Sequence, residues 1–294
     1  MRASAADAGE AVLSFVYKAA AEIGELGDNT ASLRAAIESD ELLHLALAAD
    51  GAQALVLGHT RWASVGIISE ANAHPLNSDE EAGGTSGPYV TAALNGDVDN
   101  FADLKSAHGL VLAPEITTDA KVIPTLVSRR VAAGESLDSA FRAAVASMEG
   151  SVAIGASAAT SPDRLHLALR GSGQALYVGL AEDVYIVASE PYGVVEETAT
   201  YLRLDGETPA NPENPTASRG QIVVLDGSRA GTLDGIDRHA YDGTPLPVTE
   251  ADLATAQITT RDIDRGSFPH FLLKEITEAP TSFRKTLRGK LVER

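Results

Sequence analysis

Between residues 150 and 226 six short apolar runs follow one another closely: SVAIGASAA, RLHLALRG, ALYVGLAE, DVYIVASE, ATYLRLDGE and GQIVVLDG. Gly, Ser-Pro-Asp and Glu-Asp turn signals separate them, and one Pro/Asn-rich loop, GETPANPENPTASRG, interrupts the series. Parallel neighbours need a crossover of about a dozen residues, whereas closely spaced runs with short turns predict antiparallel sheet. That constraint governs what the rest of the chain has to cover.

Upstream, residues 10 to 50 read as mainly helical. Leu33 and Ile37 lie four apart, Leu42, Leu43, Leu45 and Leu47 follow, and Asp28, Asn29 and Thr30 offer N-caps. The period then shortens: QALVLGHT (53–60) and YVTAALNG (89–96) read as two strands that carry polar residues at their ends. TTDAKVIPTLVSRRVAAG and SLDSAFRAAVASMEG read as two helices, each with a Thr, Asp or Ser start and a Gly stop, with Pro124 placed in the opening turns of the first. The tail HFLLKEITEAPTSFRKTLRGKL returns to helix with a proline break. No internal repeat is present. Helices grouped around antiparallel strands predict a layered α+β domain rather than a doubly wound sheet.

Charge narrows the ligands. The 294 residues carry a formal net charge of -18, which repels phosphate backbones and anionic lipid, so neither nucleic acid nor a membrane surface is an expected partner. There is no apolar run of about 18 residues and no basic leader, and the expected location is cytoplasmic. The chain has no cysteine, which removes disulfides, thiolate metal sites and thiol nucleophiles together.

Three short segments carry chemistry. In GHTRWAS, Arg61 and Trp62 follow a strand and a glycine turn: a carboxylate fork with an aromatic wall, or a surface arginine over a core tryptophan. Asn95-Gly96 in ALNGD ends a strand; it is either a type I′ hairpin turn or a pair of donors aimed at a developing negative charge. Asp119 in ITTDAKV either caps a helix with Thr118 or, beside Arg61, completes a clamp for a zwitterion such as an α-amino acid. His59 and His74 lack partners at metal-ligand spacing, and neither a metal nor a cofactor is expected. Gly171 and Gly173 lead into a strand and read as a turn, not a phosphate loop.

Taken in order, GHTRWASVGIISEANAHPL, AALNGDVDN, TTDAKVIPTLV, LALRGSGQALYVGL, YIVASE and HFLLKEITEAP resemble the glutaminase domain of glucosamine-6-phosphate synthase, over roughly residues 55 to 291. The resemblance implies a class II glutamine amidotransferase with an N-terminal-nucleophile fold, a four-layer αββα sandwich of antiparallel sheets, incomplete at its N-terminus. It implies L-glutamine as ligand, held by Arg61, Trp62, Ser64 and Asp119, with Asn95 and Gly96 as the oxyanion hole. His74 matches the histidine of the family's Asn-Ala-His-Pro segment. Residues 1 to 262 are then the amidotransferase-like domain, and 263 to 294 a helical linker toward a sugar-phosphate isomerase domain absent from the chain.

The departures are specific. Val65 stands where the family has histidine, and Leu94 where its pattern is His-Asn-Gly. The family's Cys-Gly-Ile start and its Arg-Gly-Tyr-Asp-Ser segment have no counterpart, and removal of Met1 would expose Arg2. A glutaminase needs an activated nucleophile, so the chain as written is expected to be inactive, either as a fragment of a larger synthase or as a non-catalytic amino-acid sensor or scaffold. Loss of edge strands also predicts self-association as a homo-oligomer.

Overall fold

The computed structural model describes residues 1–5, 11–20, 28–61, 64–81, 87–256 and 265–287. In chain order the elements are β1 (Arg2–Ala5), β2 (Ala11–Ser14), α1 (Asp28–Glu38), α2 (Glu41–Leu47), β3 (Leu76–Asn77), β4 (Val90–Gly96), α3 (Phe101–Ala107), α4 (Val122–Ala132) and α5 (Leu137–Ala146). They continue as β5 (Val152–Ala158), β6 (Ser161–Arg170), β7 (Tyr177–Leu180), β8 (Tyr185–Ala188), α6 (Tyr192–Val195), β9 (Thr200–Arg203), α7 (Pro215–Ser218), β10 (Gln221–Asp226), β11 (Ile236–Ala240), β12 (Leu253–Thr255) and α8 (Phe271–Leu287).

The six runs that open the sequence argument are β5 to β10, and every pairing is antiparallel, in a six-stranded sheet β11-β10-β6-β5-β4-β3, a four-stranded sheet β12-β9-β7-β8 and the hairpin β1-β2. For β5, β6 and β10 the near-continuous apolar character follows from burial on both faces. Along β5, Val152, Ile154, Ala156 and Ala158 join a core with Ile123, Leu126, Val127, Phe141, Ala144 and Val145 of α4 and α5. Ala153, with Leu167 and Leu169 of β6 and Val223 and Leu225 of β10, faces Val178 and Leu202 of the second sheet. On the outer side of that sheet, Val194 of α6 sits against Gly179, where an added Cβ would lie 2.3 Å from Val194 Cγ1. The order is therefore helices, sheet, sheet, short helix: the expected α+β sandwich, with its fourth layer reduced to one turn among the described residues.

Local chemistry sets the helix limits. Ser136 caps α5 by accepting from the Ser139 N–H at 3.3 Å, and the 3.6-residue period then buries Ala140, Phe141, Ala144 and Val145 on one stripe. Pro124 does fall in the first turn of α4, where its missing N–H has no intrahelical partner to lose, and Gly134, at φ 97°, closes that helix.

Four readings are corrected. The stretch from 10 to 50 is not helical at its start: residues 11–14 form β2, and neither α1 nor α2 buries a side chain. QALVLGHT is not a strand. Val56 is 87% exposed, and Leu57 rests on β5 with its Cδ1 3.3 Å from where a Cβ on Gly155 would lie. The loop 206–220 contains the short helix α7, started by Pro215. Pro280 does not break the tail, because α8 runs through it on an exposed surface where water can satisfy the freed carbonyl. No helix among the described residues is long and apolar enough to cross a membrane.

The short edge strand β3 is held by a buried cation. Lys121, 1% exposed, donates to the Asn77 carbonyl at 2.6 Å, the Asn77 side chain at 3.1 Å and the Asp79 carbonyl at 2.7 Å. Burial, opposed by Asp79 and reinforced by Lys18, pushes its ammonium down to about 8. An unfolded lysine keeps its proton to about pH 10.4, so between these values the unfolded chain binds more protons and stability rises with pH. The urea midpoint of the protein is expected to increase from pH 8 to 10 by the equivalent of about 2 kcal/mol, and Lys121→Met is expected to remove that increase.

Candidate functional site

The site is built where β4 ends. Asn95 and Gly96 are the last residues of that strand, in register with Ala153 and Val152 of β5, so the hairpin-turn reading of Asn-Gly is set aside. Gly96 has φ 115°, and a Cβ there would stand 2.0 Å from the Ser151 carbonyl oxygen, so glycine is required by the close approach of the two strands. The Asn95 carboxamide is exposed, and among the described residues it has no hydrogen-bond partner.

Asp119 sits in a single 3-10 turn before α4. It is 4% exposed; its Oδ2 accepts from the Val98 N–H at 2.7 Å and its Oδ1 from the Thr118 hydroxyl at 3.3 Å. Thr118 occupies the cap position without a side-chain cap bond, so the N-cap reading holds for Thr118 in position only. Burial raises the Asp119 carboxyl, the Val98 and Thr118 hydrogen bonds lower it, and Asp97 raises it further. Among the described residues no cation lies at ion-pair distance from it, so a desolvated carboxylate is held by hydrogen bonds alone.

Arg61 is half-buried. Its guanidinium donates to the Ile67 carbonyl at 3.2 Å and to the Val65 carbonyl, curling the loop around its own fork; among the described residues its other donors have no partner. Burial lowers the pKa of the guanidinium and the Asp119 charge opposes that, which sets the two groups within electrostatic reach. Ser64 donates to Asp97 Oδ1, fastening the same loop to the residue after Gly96. Arg61, Ser64, Asn95, Gly96 and Asp119 are thus gathered at one end of β4; Trp62 lies outside the described residues.

A residue not among the expected site residues, the asparagine of the Asn-Ala-His-Pro segment, joins these parts. Asn72, with no solvent exposure, donates through Nδ2 to the Ile67 carbonyl at 3.2 Å, Ser69 Oγ at 3.1 Å, the Glu115 carbonyl at 3.4 Å and Thr117 Oγ1 at 3.1 Å. Its Oδ1 accepts from the N–H groups of Thr117 at 2.8 Å and Thr118 at 3.1 Å. The Arg61 loop and the turn bearing Asp119 are thereby locked together. The two histidines stack with ring centroids 4.5 Å apart. His74 is pushed down to about 3 by burial, then by His59, Arg61 and Lys18, and it accepts the Leu94 N–H on Nδ1 at 3.3 Å. Among the described residues no group of three or more His, Cys, Asp or Glu is arranged to hold a metal.

The packed antiparallel sheets and the motifs clustered at the end of β4 define a chain similar to the glutaminase domain of class II glutamine amidotransferases. The particular relatives are glutamine–fructose-6-phosphate aminotransferases (isomerizing). That of Halalkalibacterium halodurans is 30% identical over 232 residues, 79% of this chain and 34% of the relative. That of Oceanobacillus iheyensis is 32% identical over the same span, and that of Streptococcus mutans 30% over 233 residues. The chain spans about a third of the length of these relatives. No family model matches it. Among solved structures, glutamine phosphoribosylpyrophosphate amidotransferase from B. subtilis, complexed with ADP and GMP, aligns at a TM-score of 0.45 and 19% identity over 64% of this chain and 35% of that one.

Removing the Asn72 carboxamide takes the acceptor from the Thr117 N–H and leaves the N–H of buried Thr118 unsatisfied. Asn72→Ala is expected to lower the unfolding free energy by about 2–3 kcal/mol, measured by urea denaturation.

Proposed function

We propose that the chain is the glutamine-binding, amide-donating domain of an aminotransferase like its relatives, with Arg61 on the α-carboxylate of L-glutamine and Asp119 on its ammonium. The buried Asp119 carboxylate, without a cation at ion-pair distance among the described residues yet within electrostatic reach of Arg61, is the observation that supports this reading. A zwitterion neutralises both groups at once, and its side-chain amide then extends toward Asn95 and Gly96. There the free Asn95 amide and the Gly96 N–H stabilise the oxyanion that forms when the amide carbonyl is attacked. Ser64 and Trp62 complete the pocket.

With no cysteine among the 294 residues, a thiolate attack requires a nucleophile from outside them. The chain alone therefore binds glutamine without releasing ammonia. Residues 1 to 262 form the ligand-binding domain and 263 to 294 lead to a sugar-phosphate isomerase domain, where fructose 6-phosphate or a related sugar phosphate accepts the nitrogen. The exposed Phe271, Leu272, Ile276 and Phe283 of α8 support the linker assignment, as apolar groups awaiting a neighbour. The missing thiol equally supports a second reading, in which the domain is a non-catalytic amino-acid sensor or scaffold.

Calorimetry with L-glutamine tests the shared core of both. Binding is expected in the wild type and at least about tenfold weaker in Arg61→Ala, which loses a charge-assisted contact; an absence of heat with well-folded protein sinks the assignment. A glutamate-release assay then separates the two readings: activity in the full-length protein supports the donor domain, and binding without activity there supports the sensor. Because burial raises the Asp119 carboxyl and the ammonium ligand needs it ionised, affinity should fall with decreasing pH above the range in which an exposed aspartate titrates. Asp119→Asn should bind weakly with that pH dependence removed.

A further inference from the structure

The edge of the six-stranded sheet stops one step short of the candidate site. β3 pairs with β4 only at Leu76 opposite Ala92 and Asn77 opposite Thr91. Continued two residues toward the site, that register sets His74 opposite Leu94, but β3 begins at Leu76 and supplies no ladder pair there. The Leu94 N–H donates instead to the imidazole Nδ1 of His74, at 3.3 Å. A side chain thus takes the place of a strand at the last position before Asn95.

We propose that His74 is a positioning residue for the oxyanion donors: its Nδ1 completes the edge of β4 at Leu94 and so fixes the direction in which Asn95 and Gly96 leave the sheet. The proposal rests on the glutamine reading for its functional consequence and on the Leu94 contact for its geometry. An acceptor at Nδ1 requires the ring proton on Nε2. Among the described residues that atom is buried without a partner, as is Nδ1 of the stacked His59, so the ring is held as a neutral acceptor with one donor left unmatched. Charging the ring is opposed by burial, by His59 and Arg61 on the loop before it and by Lys18 after β2, against a smaller opposite contribution from the Leu94 backbone on β4. On the other side of the residue pair, β5 holds Asn95 and Gly96 through Ala153 and Val152. The strand end is therefore braced from both edges, by backbone on one and by an imidazole on the other.

Two variants and one spectroscopic measurement test this. His74→Leu removes the acceptor, whereas His74→Asn places a carboxamide oxygen near the position of Nδ1. In His74→Leu, Leu94 amide exchange should accelerate about tenfold or more, as expected for loss of one hydrogen bond, with Ala92 unchanged, and the L-glutamine affinity should fall by a similar factor. His74→Asn should restore both to within about threefold of wild type. In the wild type, nitrogen NMR should show Nδ1 unprotonated and a scalar coupling from the Leu94 amide nitrogen to it, a readout that needs no folded variant. Unchanged Leu94 exchange in a folded His74→Leu, or an Nδ1-protonated ring in the wild type, overturns the proposal. Altered Leu94 exchange with unaltered glutamine affinity overturns the positioning role. If the wild type does not bind glutamine, the glutamine reading fails by itself, and the Leu94 exchange and coupling still decide whether His74 braces the strand.

Discussion

The buried carboxamide of Asn72 is the junction on which the site depends. It satisfies groups from two segments about 45 residues apart, the loop carrying Arg61 and the turn carrying Asp119. Neither segment is a regular element, so no ladder or helix would hold them in fixed relation. Two N–H donors shared among four acceptors, and one oxygen that takes two backbone N–H groups, perform that task from a single desolvated side chain. The rigid sheet underneath positions β4; Asn72 positions everything brought to it.

The electrostatics around this junction share one pattern. Lys121, Asp119 and His74 are buried titratable groups, and none has an opposite charge at contact distance among the described residues. Lys121 is held by carbonyls, Asp119 by an N–H and a hydroxyl, and His74 by staying neutral. Ion pairing would have closed the site upon itself. Hydrogen bonds to neutral partners support the groups and leave their fields uncompensated.

Much of the sandwich was legible in the sequence because β5, β6 and β10 are buried on both faces, which writes them as unbroken apolar runs between turn residues. The site was legible as motifs, and Arg61, Ser64, Asn95, Gly96 and Asp119 do meet at one strand end. What sequence could not deliver were relations set by pairing and packing. QALVLGHT has strand composition and forms no strand pairing; residues 11–14 pair with residues 2–5 in a stretch that reads as the start of a helical segment. Asn72 and the acceptor role of His74 have no periodic signature, since each acts through contacts distant in sequence. Pro280 read as a break because a proline rule applies to helices that must satisfy every carbonyl internally, and α8 lies in water.

Leu57 lying over Gly155 ties pocket geometry to a position that no ligand would ever touch. The segment entering Arg61 is otherwise unpaired, so the bare backbone of β5 acts as a seat for one methyl group. Enlarging residue 155 by a single carbon would make the Leu57 side chain, four residues before Arg61, give by a few tenths of an ångström. Divergence in ligand preference within such a scaffold can therefore arise from the floor of the sheet while every contact residue stays the same, and a search confined to the pocket wall would miss its origin.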